Sequence, residues 1–109
     1  MSQYHLKKAT DGQFYFVLKA YNAETILKSE MYTTRQGCEN GIESVKRNSA
    51  NDANYRRLTA NNGKYYFNLV AGNNQVIGTS EMYNSTAARD NGIASVKVNG
   101  PVAQTADMT

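Results

Sequence analysis

Ser29-Glu30 and Ser80-Glu81 are the polar pairs of this 109-residue chain whose residue types and doubling could serve chemistry. A hydroxyl beside a carboxylate, repeated, reads as two symmetric binding sites or a doubled active site. Each pair opens the tetrapeptide Ser-Glu-Met-Tyr, Ser29 to Tyr32 and Ser80 to Tyr83. Each tetrapeptide is followed eight residues later by Asn-Gly-Ile-x-Ser-Val-Lys, Asn40 to Lys46 and Asn91 to Lys97. The structural reading is nevertheless preferred. Ser and Glu can satisfy backbone donors where a strand stops, Met31, Tyr32, Met82 and Tyr83 can pack beneath a helix, and duplication copies structural residues as faithfully as functional ones. Lys46 and Lys97 need no ligand either, because a cation near a helix C-terminus is favoured by the dipole.

The remaining candidates are single residues and one pattern. His5 is the only histidine, with no second His and no Cys, Asp or Glu at ligand spacing, so it reads as a surface residue on an edge-like first strand. Cys38 lies in the apolar stripe of a predicted helix and reads as a small core residue; being alone, it excludes an intramolecular disulfide and fits a reducing compartment. The pattern is one of basic residues among aromatics. Lys7, Lys8, Lys19, Arg56, Arg57 and Lys64 fall on predicted strands or turns, and Tyr15 and Tyr66 point away from the apolar face. Tyr on bases with Lys or Arg on phosphates is how sheets bind single strands, and sheets backed by a helix also dock on duplex DNA, a likeness of fold only. Against this stand nine acids, a net charge of +3 and no motif of the common RNA- or DNA-binding modules.

The elements that must position these residues come from the duplication. A shift of 51 residues aligns Tyr4–Asn48 with Tyr55–Asn99, with about 20 of about 45 positions identical. Each copy starts with a short strand, Tyr4 to Ala9 or Tyr55 to Ala60, and turns at Asp11-Gly12 or Asn62-Gly63, the strongest hairpin signals present. Phe14, Phe16, Leu18 and Ala20 then alternate with Tyr15, Val17 and Lys19; Tyr65, Phe67, Leu69 and Ala71 alternate with Tyr66, Asn68 and Val70. A third strand is expected from Thr25 to about Tyr32 and from Val76 to about Tyr83, with a bulge near Lys28-Ser29 and Gly78-Thr79. A helix follows, capped by Thr33 with Gln36, or by Asn84 or Ser85, and buries Cys38, Ile42 and Val45, or Ala88 or Arg89 with Ile93 and Val96. Gly41 and Gly92 sit inside these helices, where the missing side chain lets helix and sheet approach closely.

One compact domain over 1–109 is expected, made of repeats 4–48 and 55–99, a small-polar linker 49–54 and a frayed tail 100–109. A lone copy of about 45 residues is marginal, so the two should share one core. The fold class is α+β: two tandem β-β-β-α repeats form an antiparallel sheet with both helices on one side. No stretch approaches the ~20 apolar residues of a membrane span, and the N-terminus has no apolar run of signal-peptide length; a cytoplasmic monomer is expected, since the duplication completes its own core.

Gly12 to Ala20, Ile26-Leu27, Ser29-Glu30-Met31-Tyr32 and the Asn-Gly-Ile-x-Ser-Val-Lys motif together resemble the YegP-like family of small bacterial proteins, in its two-copy form. The resemblance covers both repeats. It implies the β-β-β-α repeat and one antiparallel sheet, and brings no activity, cofactor or catalytic residue. With no nucleophile-base pair, no Gly-rich phosphate loop and no metal cluster in the sequence, the expectation is a non-enzymatic binding or structural module without cofactor. Its alternatives are nucleic-acid binding on the sheet face and peptide capture or self-association at a sheet edge.

Overall fold

The computed structural model describes residues 2–109. Strands β1 (Gln3–Lys8), β2 (Phe14–Lys19) and β3 (Thr25–Lys28) precede helix α1 (Arg35–Asn48). The second copy gives β4 (Tyr55–Thr59), β5 (Tyr65–Val70), β6 (Val76–Thr79) and α2 (Thr86–Asn99), and β7 (Gln104–Asp107) follows. The first hairpin of each copy turns on glycine in the left-handed region, Gly12 at φ 85° and Gly63 at φ 83°. Asp11 and Asn62 lock these turns by accepting from the amides of Gln13 and Lys64, each at 3.0 Å. The helix caps are Thr34 and Ser85, whose side chains accept from the amides of Gly37 and Ala88 at 3.0 Å. The expected Thr33–Gln36 box is therefore displaced by one residue, and Gln36 bonds Asn40 instead.

The seven strands form one sheet in the order β4-β5-β6-β3-β2-β1-β7. The two repeats join edge to edge through their third strands, where Lys28 pairs with Thr79. Pairing is antiparallel except at β7, which runs parallel to β1 and so departs from the expected all-antiparallel sheet. The tail expected to fray is thus partly a strand. Buried Ala103 anchors it, Arg35 ion-pairs with Asp107, and the Met108 amide donates to the Leu6 carbonyl at 2.8 Å. A backbone-paired edge strand of four residues requires no side-chain alternation, so Gln104–Asp107 carries none. It also covers the outer edge of β1, which makes β1 an interior strand; β4 has no strand on its outer side.

The third strands end earlier than expected, at Lys28 and Thr79, although the chain stays beside β2 and β5 through the bridges Phe14–Tyr32 and Tyr65–Tyr83. The bulge is also earlier, opposite Leu18/Lys19 and Leu69/Val70. There Ile26 and Ile77 are the extra residues, and both are buried in the core next to the ladder residue that follows. The bulge turns an otherwise outward residue into the core.

Both helices pack on one face of the sheet, each touching strands of both repeats. One cluster unites Tyr4, Phe16, Leu18, Cys38, Ile42 and Val45 with Tyr55, Phe67, Leu69, Ile93 and Val96. The repeats are related by a pseudo-twofold axis, and residues on it meet their own duplicates: Lys28 faces Thr79, Leu27 lies against Gly78, and Ser49 lies against Gly100. Near the axis Tyr4 donates its hydroxyl to Gly100 O at 2.7 Å, and Tyr55 donates to Ser49 O at 2.6 Å. These bonds satisfy carbonyls at the two helix C-termini, and burial raises both phenols above their ordinary range. The linker is ordered as well: Asn51 caps a single 3-10 turn, Asp52–Asn54, leading into β4.

Candidate binding face

The doubled Ser-Glu-Met-Tyr motifs are the joints between strand and helix. Ser29 Oγ accepts from the Phe16 amide at 2.9 Å and donates to the Glu30 carbonyl at 2.8 Å; Ser80 repeats both bonds with Phe67 and Glu81 at the same distances. Both hydroxyls are thereby committed to backbone groups. Tyr32 stacks on Phe16 with ring centroids 6.4 Å apart, and Tyr83 on Phe67 at 6.5 Å. Each tyrosine hydroxyl sits against the glycine of the second motif. A Cβ on Gly41 would lie 2.8 Å from Tyr32 Cζ, and one on Gly92 would lie 2.7 Å from Tyr83 Cζ. The two motifs of each repeat are therefore halves of one packing unit, with Ile42, Val45, Ile93 and Val96 completing it from the helix.

The pseudo-twofold brings the polar ends of both motifs together. Lys28, Ser29, Glu30, Met31, Thr79, Ser80 and Glu81 line an open depression of about 320 Å³ at the seam between the repeats. Met31 and Met82 stay exposed rather than packing beneath the helices as expected. Pairing slips by one more residue between Lys28 opposite Val17 and Tyr32 opposite Phe14, and likewise between Thr79 opposite Asn68 and Tyr83 opposite Tyr65, leaving Tyr32 and Tyr83 to fill the helix side.

Neither His5 nor Cys38 lies in a catalytic constellation. Among the described residues no three His, Cys, Asp or Glu side chains are placed to hold a metal. Cys38 is fully buried, and burial followed by the nearby Glu39 pushes its thiol up to about 11. His5 is half-buried in an interior strand. Partial desolvation, then Lys19 and Lys7, hold its imidazole below the ordinary value.

The basic and aromatic residues divide between the two sheet faces. The helix-side face holds Tyr4, Leu6, Phe16 and Leu18; by the strand alternation Lys7, Tyr15, Lys19, Arg56 and Tyr66 lie on the other face, which no element covers. Lys8 and Arg57 do not belong with them. Lys8 lies over the Phe14 ring, and Arg57 reaches Asp52 at 3.0 Å and Asp90 on α2 at 3.5 Å. Adjacent residues of a strand face opposite ways, so Lys7-Lys8 and Arg56-Arg57 were each bound to split. Lys64 lies in the β4–β5 turn.

Sequence reading missed Lys28, His5 and Thr79 as members of this face. Lys28 Nζ lies 5.2 Å from the Tyr15 ring centroid. Strand registers align one residue from each of the seven strands in a single row, from Ala106 and His5 through Val17, Lys28, Thr79 and Asn68 to Arg56. The row carries Arg56 at one end, Lys28 in the middle and His5 next to Ala106 at the other end, and no carboxylate. Only the strand order, which the sequence does not state, brings these positions into line.

The profile of a domain of unknown function, DUF1508, matches residues 9–55 and again 60–107. The chain belongs to the DUF1508 family. A UPF0339 protein of Shewanella oneidensis is 57% identical over 106 residues, covering 97% of this chain and 96% of the relative. The UPF0339 protein YegP of Escherichia coli K12 is 55% identical over 97 residues, covering 89% and 88%. Solution NMR structures show the same fold. A UPF0339 protein from Shewanella oneidensis matches with a TM-score of 0.93 at 56% identity, over 99% of this chain and 92% of that one. YegP from Escherichia coli, described as a protein of unknown function, matches with a TM-score of 0.94 at 51% identity, over 99% and 93%. The DUF1508 profile falls once on each repeat, and the YegP likeness read from the motifs holds. No activity accompanies these relatives, so the reading of the face rests on this chain's own residues.

Proposed function

We propose that the protein is a non-enzymatic binding module whose ligand is a single-stranded nucleic acid held on the open sheet face. The observation that carries this reading is the interleaving of Lys7, Lys19, Lys28 and Arg56 with Tyr15 and Tyr66 on one uncovered surface. Tyrosine faces offer stacking worth roughly 1–3 kcal/mol per base, and the cations offer phosphate contacts. The serine hydroxyls committed to backbone amides support a non-catalytic role. The seam is complete within one chain, which supports a monomer, and the lone buried thiol fits the cytoplasm.

The test is retention of the purified protein on a single-stranded oligonucleotide at low salt, with the fold of each variant checked by circular dichroism. Binding should weaken as salt rises, and Arg56→Ala should reduce it while Arg57→Ala leaves it unchanged, because only Arg56 lies on the face. No retention at low salt overturns the reading. The uncovered edge of β4 favours a second one, capture of an extended peptide or a second copy, which light scattering over a concentration range would reveal as growing mass.

A further inference from the structure

We propose that the single strand crosses the sheet perpendicular to the β-strands, along the register row from His5 through Lys28 to Arg56; this rests on the nucleic-acid reading of the same face. Neighbouring strands lie about 4.8 Å apart, so the row spans about 24 Å, with Lys28 about 10 Å from His5 and about 14 Å from Arg56. The three positions therefore extend over most of the width of the molecule, whose extents are 34 × 28 × 28 Å, with standing charge at Lys28 and Arg56. The alternative path, along the central strands, fails on charge. Following β3 past Lys28 leads to Glu30, and following β6 past Thr79 leads to Glu81, both lining the seam depression. A polyanion laid lengthwise meets these carboxylates, whereas one laid across the strands follows a row without any.

The centre of the row is Lys28 opposite its duplicate Thr79, whose hydroxyl donates to Asn68 Oδ1 at 2.9 Å. One cation thus serves both halves of the pseudo-dimer. His5 adds a further, conditional charge, since phosphate beside the ring favours the imidazolium that partial burial, then Lys19 and Lys7, disfavour.

The experiment is a salt titration of oligonucleotide binding, in which each phosphate contact on a single strand contributes about 0.7 to the slope of log affinity against log salt. Thr79→Lys should steepen the slope by about 0.7 and Lys28→Thr should flatten it by about 0.7. The double variant Lys28→Thr with Thr79→Lys, which moves the cation across the bridge, should keep the wild-type slope. Lowering the pH from about 7.5 to about 5.5 should steepen the slope of the wild type but not of His5→Gln. Binding whose slope ignores Lys28 and Thr79 but responds to Lys7 and Lys19 overturns the cross-strand path and leaves the face reading standing. No binding by the wild type overturns both.

Discussion

Leu27 lies against Gly78, and the two occupy the same place in their repeats. A Cβ at 78 would stand 2.6 Å from Leu27 Cγ, so the axis has room for one leucine and not two. Gly78→Leu, which restores sequence symmetry, should destabilise the fold by roughly 1–3 kcal/mol or more through overpacking. Urea unfolding measures it; a variant as stable as the wild type would show that the seam adapts freely.

Ser49 and Gly100 are the second such pair. Ser49 Oγ is the one buried side-chain polar atom among the described residues that lacks a hydrogen-bond partner, and its Cβ already fills the space over Gly100. Ser49→Ala keeps the contact and removes the unsatisfied hydroxyl, so we expect a gain of about 1 kcal/mol. A loss in thermal unfolding would mean that the hydroxyl has a partner after all.

Ala23 sits in the left-handed region at φ 68°, where its duplicate position holds Asn74 at φ 71°. Asparagine tolerates that conformation and alanine resists it, so Ala23→Asn should stabilise the β2–β3 turn by about 1 kcal/mol. The melting temperature should rise, and a fall would contradict the strain argument.

Asp52 is held down to about 2 by hydrogen bonds from Lys97 and Arg57, which tie the linker to α2 and β4. A carboxylate with a depressed folded-state pKa stabilises the fold fully above its unfolded value. For Asp52 this contribution is lost as pH falls from about 3.8 through about 2. Asp52→Asn should therefore be less stable than wild type at neutral pH and converge with it in that acid window. Parallel stability curves for the two proteins would refute the linkage.

Cys38 should resist alkylation in the native state at pH 8, because its thiol is raised to about 11 and has no exposed surface. Labelling should follow unfolding in urea, and rapid native labelling would contradict burial against the sheet.

What the sequence revealed and what it hid follow from the range of each signal. Asp11-Gly12 and Asn62-Gly63 act within four residues, and Cys38, Ile42 and Val45 within two helical turns, so hairpins and helices were legible. The seam was not, because nothing local in Lys28 says that Thr79 will lie opposite. The same holds for β7, whose partner β1 is at the other end of the chain. Arg57 illustrates the limit at the candidate site. Its type matches Arg56, and only the pleat sends one outward and the other to Asp90.

β7 has a consequence for assembly. It replaces the six-residue edge that β1 would present with an outer edge of four residues, and a short edge strand is a poor template for pairing with another copy. The longer edge is β4, where pairing of β4 against β4 would be an isologous contact that closes at two, with Arg56 and Arg57 of each copy opposing it. A four-residue strand after α2 thus shortens one of the two edges through which copies could add to one another.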